Sequence, residues 1–104
     1  MNEVLSKAAA DVLAERERQK TVEGWTRGHD DQHMWGEMAR AASCYAIEPE
    51  LRTSGWLHKV WPWDFSWWKP TTRRRDLVKA GALIIAEIER LDRAALSKAK
   101  GPTT

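Results

Sequence analysis

The chain is poor in cysteine: Cys44 stands alone among 104 residues, which rules out an internal disulfide and a multi-cysteine zinc site and fits a reducing compartment. It also lacks a long apolar run. No stretch reaches the roughly 18 residues of a membrane-spanning helix, and the opening MNEVLSKAAADVLAERERQK has no uninterrupted apolar core of the secretory kind. A cytoplasmic protein is expected. Charge of one sign is scarce as well: 17 basic residues oppose 15 acidic ones, and the net +2 is too small to argue for nucleic acid by itself. No internal repeat or low-complexity segment occurs. With 42% hydrophobic and 31% charged residues, the composition is that of a globular domain, expected over 1–96, with the polar residues 97–104 as a frayed tail.

What is present is helical periodicity. Leu5, Ala8, Ala9, Val12 and Leu13 recur at three- and four-residue spacing and predict a helix over about 3–20, stopped by Gly24. EGWTRGHDDQH reads as a turn-rich loop. A second helix is expected from Met34 or Trp35 to Ile47, with Met38, Ala41, Ala42 and Tyr45 as a narrow buried stripe, and Pro49 limits its extension. Residues 48–71 carry three prolines and no sustained period, and read as an irregular ordered loop with room for a short strand or a helical turn. Thr71 or Thr72 then caps a third helix, whose apolar stripe Leu77, Ala80, Gly81, Ile84, Ile85, Ile88 and Leu91 reaches about Ala95. The expected fold is mainly α, a compact three-helix domain with two long, aromatic-rich loops. Loops of that length in a small domain are where chemistry is sought, here at 24–37 and 56–76.

The second loop contains WPWDFSWWKP, with four tryptophans and a phenylalanine in ten positions; the rest of the chain holds only Trp25, Trp35, Tyr45 and Trp56 as further aromatics. A large aromatic buries about 150–250 Å², so two or three of Trp61, Trp63, Phe65, Trp67 and Trp68 can roof a core otherwise rich in alanine. They cannot all do so, because Trp67 and Trp68 are adjacent and should point different ways. Indole is also the best ring for stacking a nucleobase or holding a cation. Lys69, Arg73, Arg74 and Arg75 follow at once, and arginine forks match phosphate oxygens. Three arginines at a helix start oppose the macrodipole, so a ligand or ion-pair partners should compensate, with Asp30 and Asp31 as candidate partners.

GHDDQHMWGE offers His29, Asp30, Asp31, His33 and Glu37 as donors, but the spacing matches no specific zinc or calcium signature, and hydrogen bonding of the aspartates to backbone or arginine is the preferred reading. No metal or cofactor is expected. Cys44 sits on an apolar stripe without a local activating group, the serines lack a nucleophile-elbow context, and the glutamate pairs Glu15/Glu17 and Glu87/Glu89 are poorly spaced to hold magnesium on one helix face. No catalytic constellation stands out, so a non-enzyme is expected.

Together, ERERQKTVEGWTRGHDDQH, GEMARAASCYA, WPWDFSWWKP and RRRDLVKAGALIIAEIERLDR resemble a family of small phage and prophage proteins, over nearly the whole chain. The order of motifs is also similar to the ryanodine-receptor repeat domain. The matching positions are Gly24 with Trp25, Gly28 with Asp30 and Asp31, Trp61 to Trp63, and Arg75 with Asp76; an inserted helix around 35–47 and the Arg-Asp order depart from that pattern. The resemblances imply a ligand-binding module that counters host defence by sequestering a nucleotide-derived immune signal without chemistry, as a homo-oligomer. The expected ligand-binding residues are Trp25, His29, Asp31, Trp61, Trp63, Trp67, Trp68, Lys69, Arg73, Arg74 and Arg75. The alternative is an inhibitor or adaptor that anchors exposed Trp and Arg on a host protein. Direct nucleic-acid binding ranks third, because acidic residues are interspersed along both long helices.

Overall fold

The structure is a computed structural model that describes residues 4–100. Five α-helices and two short 3-10 turns account for its regular structure, and no strand occurs among the described residues. Helix α1 (Lys7–Thr21) begins where Ser6 Oγ accepts from the Ala9 N–H, and the chain leaves it through Gly24 at φ +75°, a left-handed conformation that glycine adopts without strain. The stretch expected as a loop instead contains a short helix, α2 (Arg27–Asp31), because Thr26 caps it by accepting from the His29 N–H. Gly36, at φ +79°, starts α3 (Glu37–Ala46) later than its apolar pattern suggests.

Residues 48–71 are more regular than their composition predicts. A 3-10 turn (Pro49–Leu51) leads into α4 (Ser54–Val60), capped by Thr53, and a second 3-10 turn spans Phe65–Trp67. Two arginines tie this segment down through helix carbonyls. Arg52 donates to the carbonyls of Cys44 and Tyr45 at 2.8 and 2.9 Å, and Arg40 donates to those of Lys59 and Val60 at 3.1 Å. Cations at helix C-termini satisfy carbonyls that no helical N–H can reach. Helix α5 (Arg73–Lys100) starts at the expected cap, with Thr72 Oγ1 accepting from the Arg75 N–H, and continues through residues 97–100, which the sequence assigns to the tail. The rest of that tail lies outside the described residues.

α5 is flanked by α3 and α1. Against α3 the contact is apolar, and Met38, Ala41, Ala42, Cys44 and Tyr45 bury their side chains with Ala80, Leu83 and Ala86. The α3 stripe read from the sequence is therefore the core face, but the α5 stripe is displaced. Leu77, Ile84, Ile88 and Leu91 are exposed, whereas Val78, Ala80, Ala82, Leu83 and Ala86 are buried. The alanines of α3 admit close approach only to small neighbours, which selects the alanine-rich side of α5 rather than its isoleucines. Gly81 serves the α1 side, since a Cβ there would lie 3.1 Å from Val12 Cγ1.

The α1 side is also polar, with Glu15, Arg16 and Gln19 buried. Arg16 bonds Asp30 at 2.6 Å and Glu89 at 3.0 Å, joining α1, α2 and α5. No described helix is long and apolar enough to cross a membrane.

Candidate functional site

The tryptophans divide as adjacent residues must. Trp61 is buried, standing edge-on to Tyr45 at 5.8 Å and to Trp68 at 5.0 Å, while its Nε1 donates to the Asp64 carbonyl. Trp68 packs 4.7 Å from Tyr45, with the Arg52 guanidinium over its ring. Both belong to the core rather than to an open surface. The Tyr45 hydroxyl fixes the segment by accepting from the Lys69 N–H at 3.1 Å, and its burial pushes its pKa up. Trp67 faces outward and is 46% exposed, so it is available to a ligand.

A pocket of about 430 Å³ opens beside this core, lined by Glu23, Trp25, His29, His33, Trp63, Asp64 and Trp67. Three pieces of chain build it. The turn after α1 supplies Glu23 and Trp25, whose N–H donates to the Gln19 carbonyl at 2.9 Å. α2 supplies His29, stacked parallel on Trp25 at 5.7 Å, and the chain just after it supplies His33, whose N–H donates to the Asp30 carbonyl. The WPWD segment supplies Trp63, 5.9 Å from Trp25 and 5.3 Å from His33. Asp64 accepts from the Ser66 N–H at 2.8 Å, and this hydrogen bond holds its carboxyl below the ordinary carboxylate range.

The two imidazoles are oriented from behind. His29 Nδ1 lies 3.3 Å from Asp30 Oδ1, and His33 Nδ1 lies 3.5 Å from Glu37 Oε2. Their Nε2 atoms face each other at 3.4 Å. Burial pushes the Glu37 carboxyl up, but hydrogen bonds from its own backbone, from the Trp35 N–H and from His33 leave it below its ordinary value. Among the described residues no three His, Cys, Asp or Glu side chains converge as a metal cluster.

Of the residues expected to bind ligand, Trp25, His29, Trp63 and Trp67 meet in this pocket. Lys69 lines an adjoining hollow with Lys79, Arg18 and Tyr45, which shares Glu23, Trp25 and Trp67 with the pocket. Arg73, Arg74 and Arg75 line neither one. Arg73 donates to the Ile47 carbonyl at 2.9 Å, Arg74 pairs with Asp11 at 2.9 Å, and Arg75 pairs with buried Glu15. Partners do compensate the macrodipole conflict, but they come from α1 and from the C-terminal end of α3 rather than from Asp30 and Asp31. Those aspartates pair instead with Arg16 and Arg93, which places Asp31 away from the pocket.

Glu23, His33 and Asp64 are pocket residues that the sequence reading did not assign to ligand. The four-residue spacing of His29 and His33 is the one sequence signal for His33; Glu23 and Asp64 give no comparable signal. Cys44 is buried, and desolvation pushes its thiol up to about 11, which suits a core residue and not a nucleophile. In comparisons with known proteins, no family model, curated protein or solved structure matches the chain.

Proposed function

We propose that the chain is a non-catalytic binding module that sequesters a small nucleotide-derived ligand, with the flat ring seated among Trp25, Trp63 and Trp67. The observation that carries this reading is the aromatic pocket itself, whose volume of about 430 Å³ lies in the range of small-molecule sites. Indole faces stack a base, and the carboxylates of Glu23 and Asp64 accept hydrogen bonds from its amino groups. The adjoining hollow carries Lys69, Lys79 and Arg18 beside Glu15 and Glu23, and an anionic tail would lie on its lysine side. Trp63 Nε1 is buried without a hydrogen-bond partner; an unmet buried donor costs about 1–3 kcal/mol, and an acceptor on the ligand would relieve it with a small ring movement.

The resemblance to phage proteins makes host signalling nucleotides the first ligands to test, and the similarity to the ryanodine-receptor repeat supports a binding module over an enzyme. A cytoplasmic site of action belongs to the same reading. So does self-association, for which the exposed Leu77, Ile84, Ile88 and Leu91 on α5 offer a surface to a second copy.

The test is tryptophan fluorescence and melting temperature against mono-, di- and cyclic nucleotides and ADP-ribose derivatives. A saturable quench with a concentration-dependent rise in melting temperature is expected. Trp63→Ala should weaken binding roughly 5- to 150-fold, the equivalent of one lost stack of about 1–3 kcal/mol, while Arg74→Ala leaves affinity unchanged. A flat response across the panel sinks the nucleotide reading. One observation favours the alternative, a host-protein partner: Trp35 is 82% exposed, as an interface anchor would be before binding. A partner captured by the wild type and lost with Trp35→Ala, together with a flat nucleotide panel, would establish it.

A further inference from the structure

The paired imidazoles raise a question that aromatic stacking does not answer. A carboxylate only accepts hydrogen bonds, so Asp30 and Glu37 favour the tautomer of each histidine that carries its proton on Nδ1. Both Nε2 atoms are then lone pairs. They face each other 3.4 Å apart on the wall of the pocket, an arrangement that is repulsive unless something positive lies between them.

We infer that His29 Nε2 and His33 Nε2 chelate one divalent transition-metal ion of the zinc or nickel class. With metal–nitrogen bonds of about 2.0–2.1 Å, tetrahedral geometry sets two nitrogens about 3.3–3.4 Å apart, the spacing found here. Each imidazole has the carboxylate behind it that metal-bound histidines commonly have, which fixes the orientation of the ring. Asp30 is held in turn by Arg16 at 2.6 Å, and Glu37 by the Trp35 N–H at 2.6 Å. Two protein ligands leave the other coordination positions to water or to a donor atom of a molecule in the pocket. Such a site is open, unlike a closed four-ligand structural site.

This inference stands on the imidazole geometry and not on the nucleotide reading, so its test contains no nucleotide. Untagged protein is titrated with Ni²⁺ alone, monitored by quenching of the tryptophans that stack on and flank the histidines. The expected result is a saturable 1:1 quench in the micromolar range that Zn²⁺ competes away and Mg²⁺ does not, since imidazole suits the former and not the latter. His29→Gln and His33→Gln, each with an unchanged circular dichroism spectrum, should each weaken binding at least about tenfold. Should either variant fail to fold, X-ray absorption of the Zn²⁺-loaded wild type reads the same point, with two imidazoles expected in the first shell. No saturable binding below millimolar metal, wild-type affinity in either folded variant, equal competition by Mg²⁺, or a shell without imidazole would each overturn the proposal.

Discussion

The two sides of α5 solve different problems with the same helix. Toward α3 it presents Ala80, Leu83 and Ala86 to a close-packed apolar core, whereas toward α1 and α2 it presents Arg74, Arg75, Glu89 and Arg93 to a seam of ion pairs. The apolar side contributes most of the driving force through burial. The ionic side contributes less net energy, because charges lose hydration when buried, but each pair fixes one mutual position of the helices. That division explains why the arginine run does not join the aromatic pocket. Arg74 and Arg75 are committed to the seam and Arg73 to the Ile47 carbonyl, and the pocket is walled by aromatic rings, imidazoles and carboxylates instead.

The largest effect should come from breaking the seam at its buried centre. Arg16 and Asp30 are 5% and 0% exposed, so Arg16→Met strands a carboxylate away from water, at a cost of about 3–5 kcal/mol. Urea unfolding should show this loss, and adding Asp30→Asn should recover part of it by removing the orphaned charge. A loss below about 1 kcal/mol for Arg16→Met would mean that the seam is a surface network of the weak kind.

A smaller and sharper contrast lies between two neighbours on the other side. Leu83 is 1% exposed and Ile84 is 46% exposed, so Leu83→Ala should cost about 2–5 kcal/mol and Ile84→Ala roughly 1 kcal/mol or less at dilute protein. Equal losses in thermal melts would refute the packing of α5. From the sequence, Ile84 looked like the core residue, because hydrophobicity marks a helical face without saying how close its neighbour comes. On α3 the same kind of pattern does mark the core, since Met38, Ala41, Ala42 and Tyr45 leave no competing apolar face.

Legibility of the site followed the same division. Adjacent Trp67 and Trp68 had to diverge, and they do, but which of the two entered the core depended on Tyr45, more than twenty positions earlier in the chain. Trp25, His29, Trp63 and Trp67 were visible as chemistry-bearing types in two loops, yet only the fold brings those loops together. The arginine conflict at the start of α5 signals compensation, and the structure supplies it. Its partners were misplaced, because Asp11 and Glu15 on α1 carry no local mark of facing a helix some sixty residues later. α2 lies where the sequence reads as loop, and α4 is longer than the helical turn that residues 48–71 allow, because each depends on one threonine cap in a segment too short for periodicity to register.

The gentlest probe of the seam is acid. Desolvation alone would push the buried Glu15 carboxyl up, but Arg18 and Arg75 outweigh burial and leave it below its ordinary value of 4.5. A carboxyl whose folded value is depressed binds fewer protons folded than unfolded, so its contribution is complete above the ordinary value and is lost as pH falls through the folded one. Melting temperature should therefore hold near neutrality and decline on acidification below about pH 5. Glu37, Asp11 and Asp64 are shifted in the same direction, so Glu15→Gln should start from a lower plateau and show a shallower acid limb, not a flat one. Parallel acid limbs in the two proteins would mean that the arginines gain nothing from the Glu15 charge, and the ionic side of α5 would then be held by packing alone.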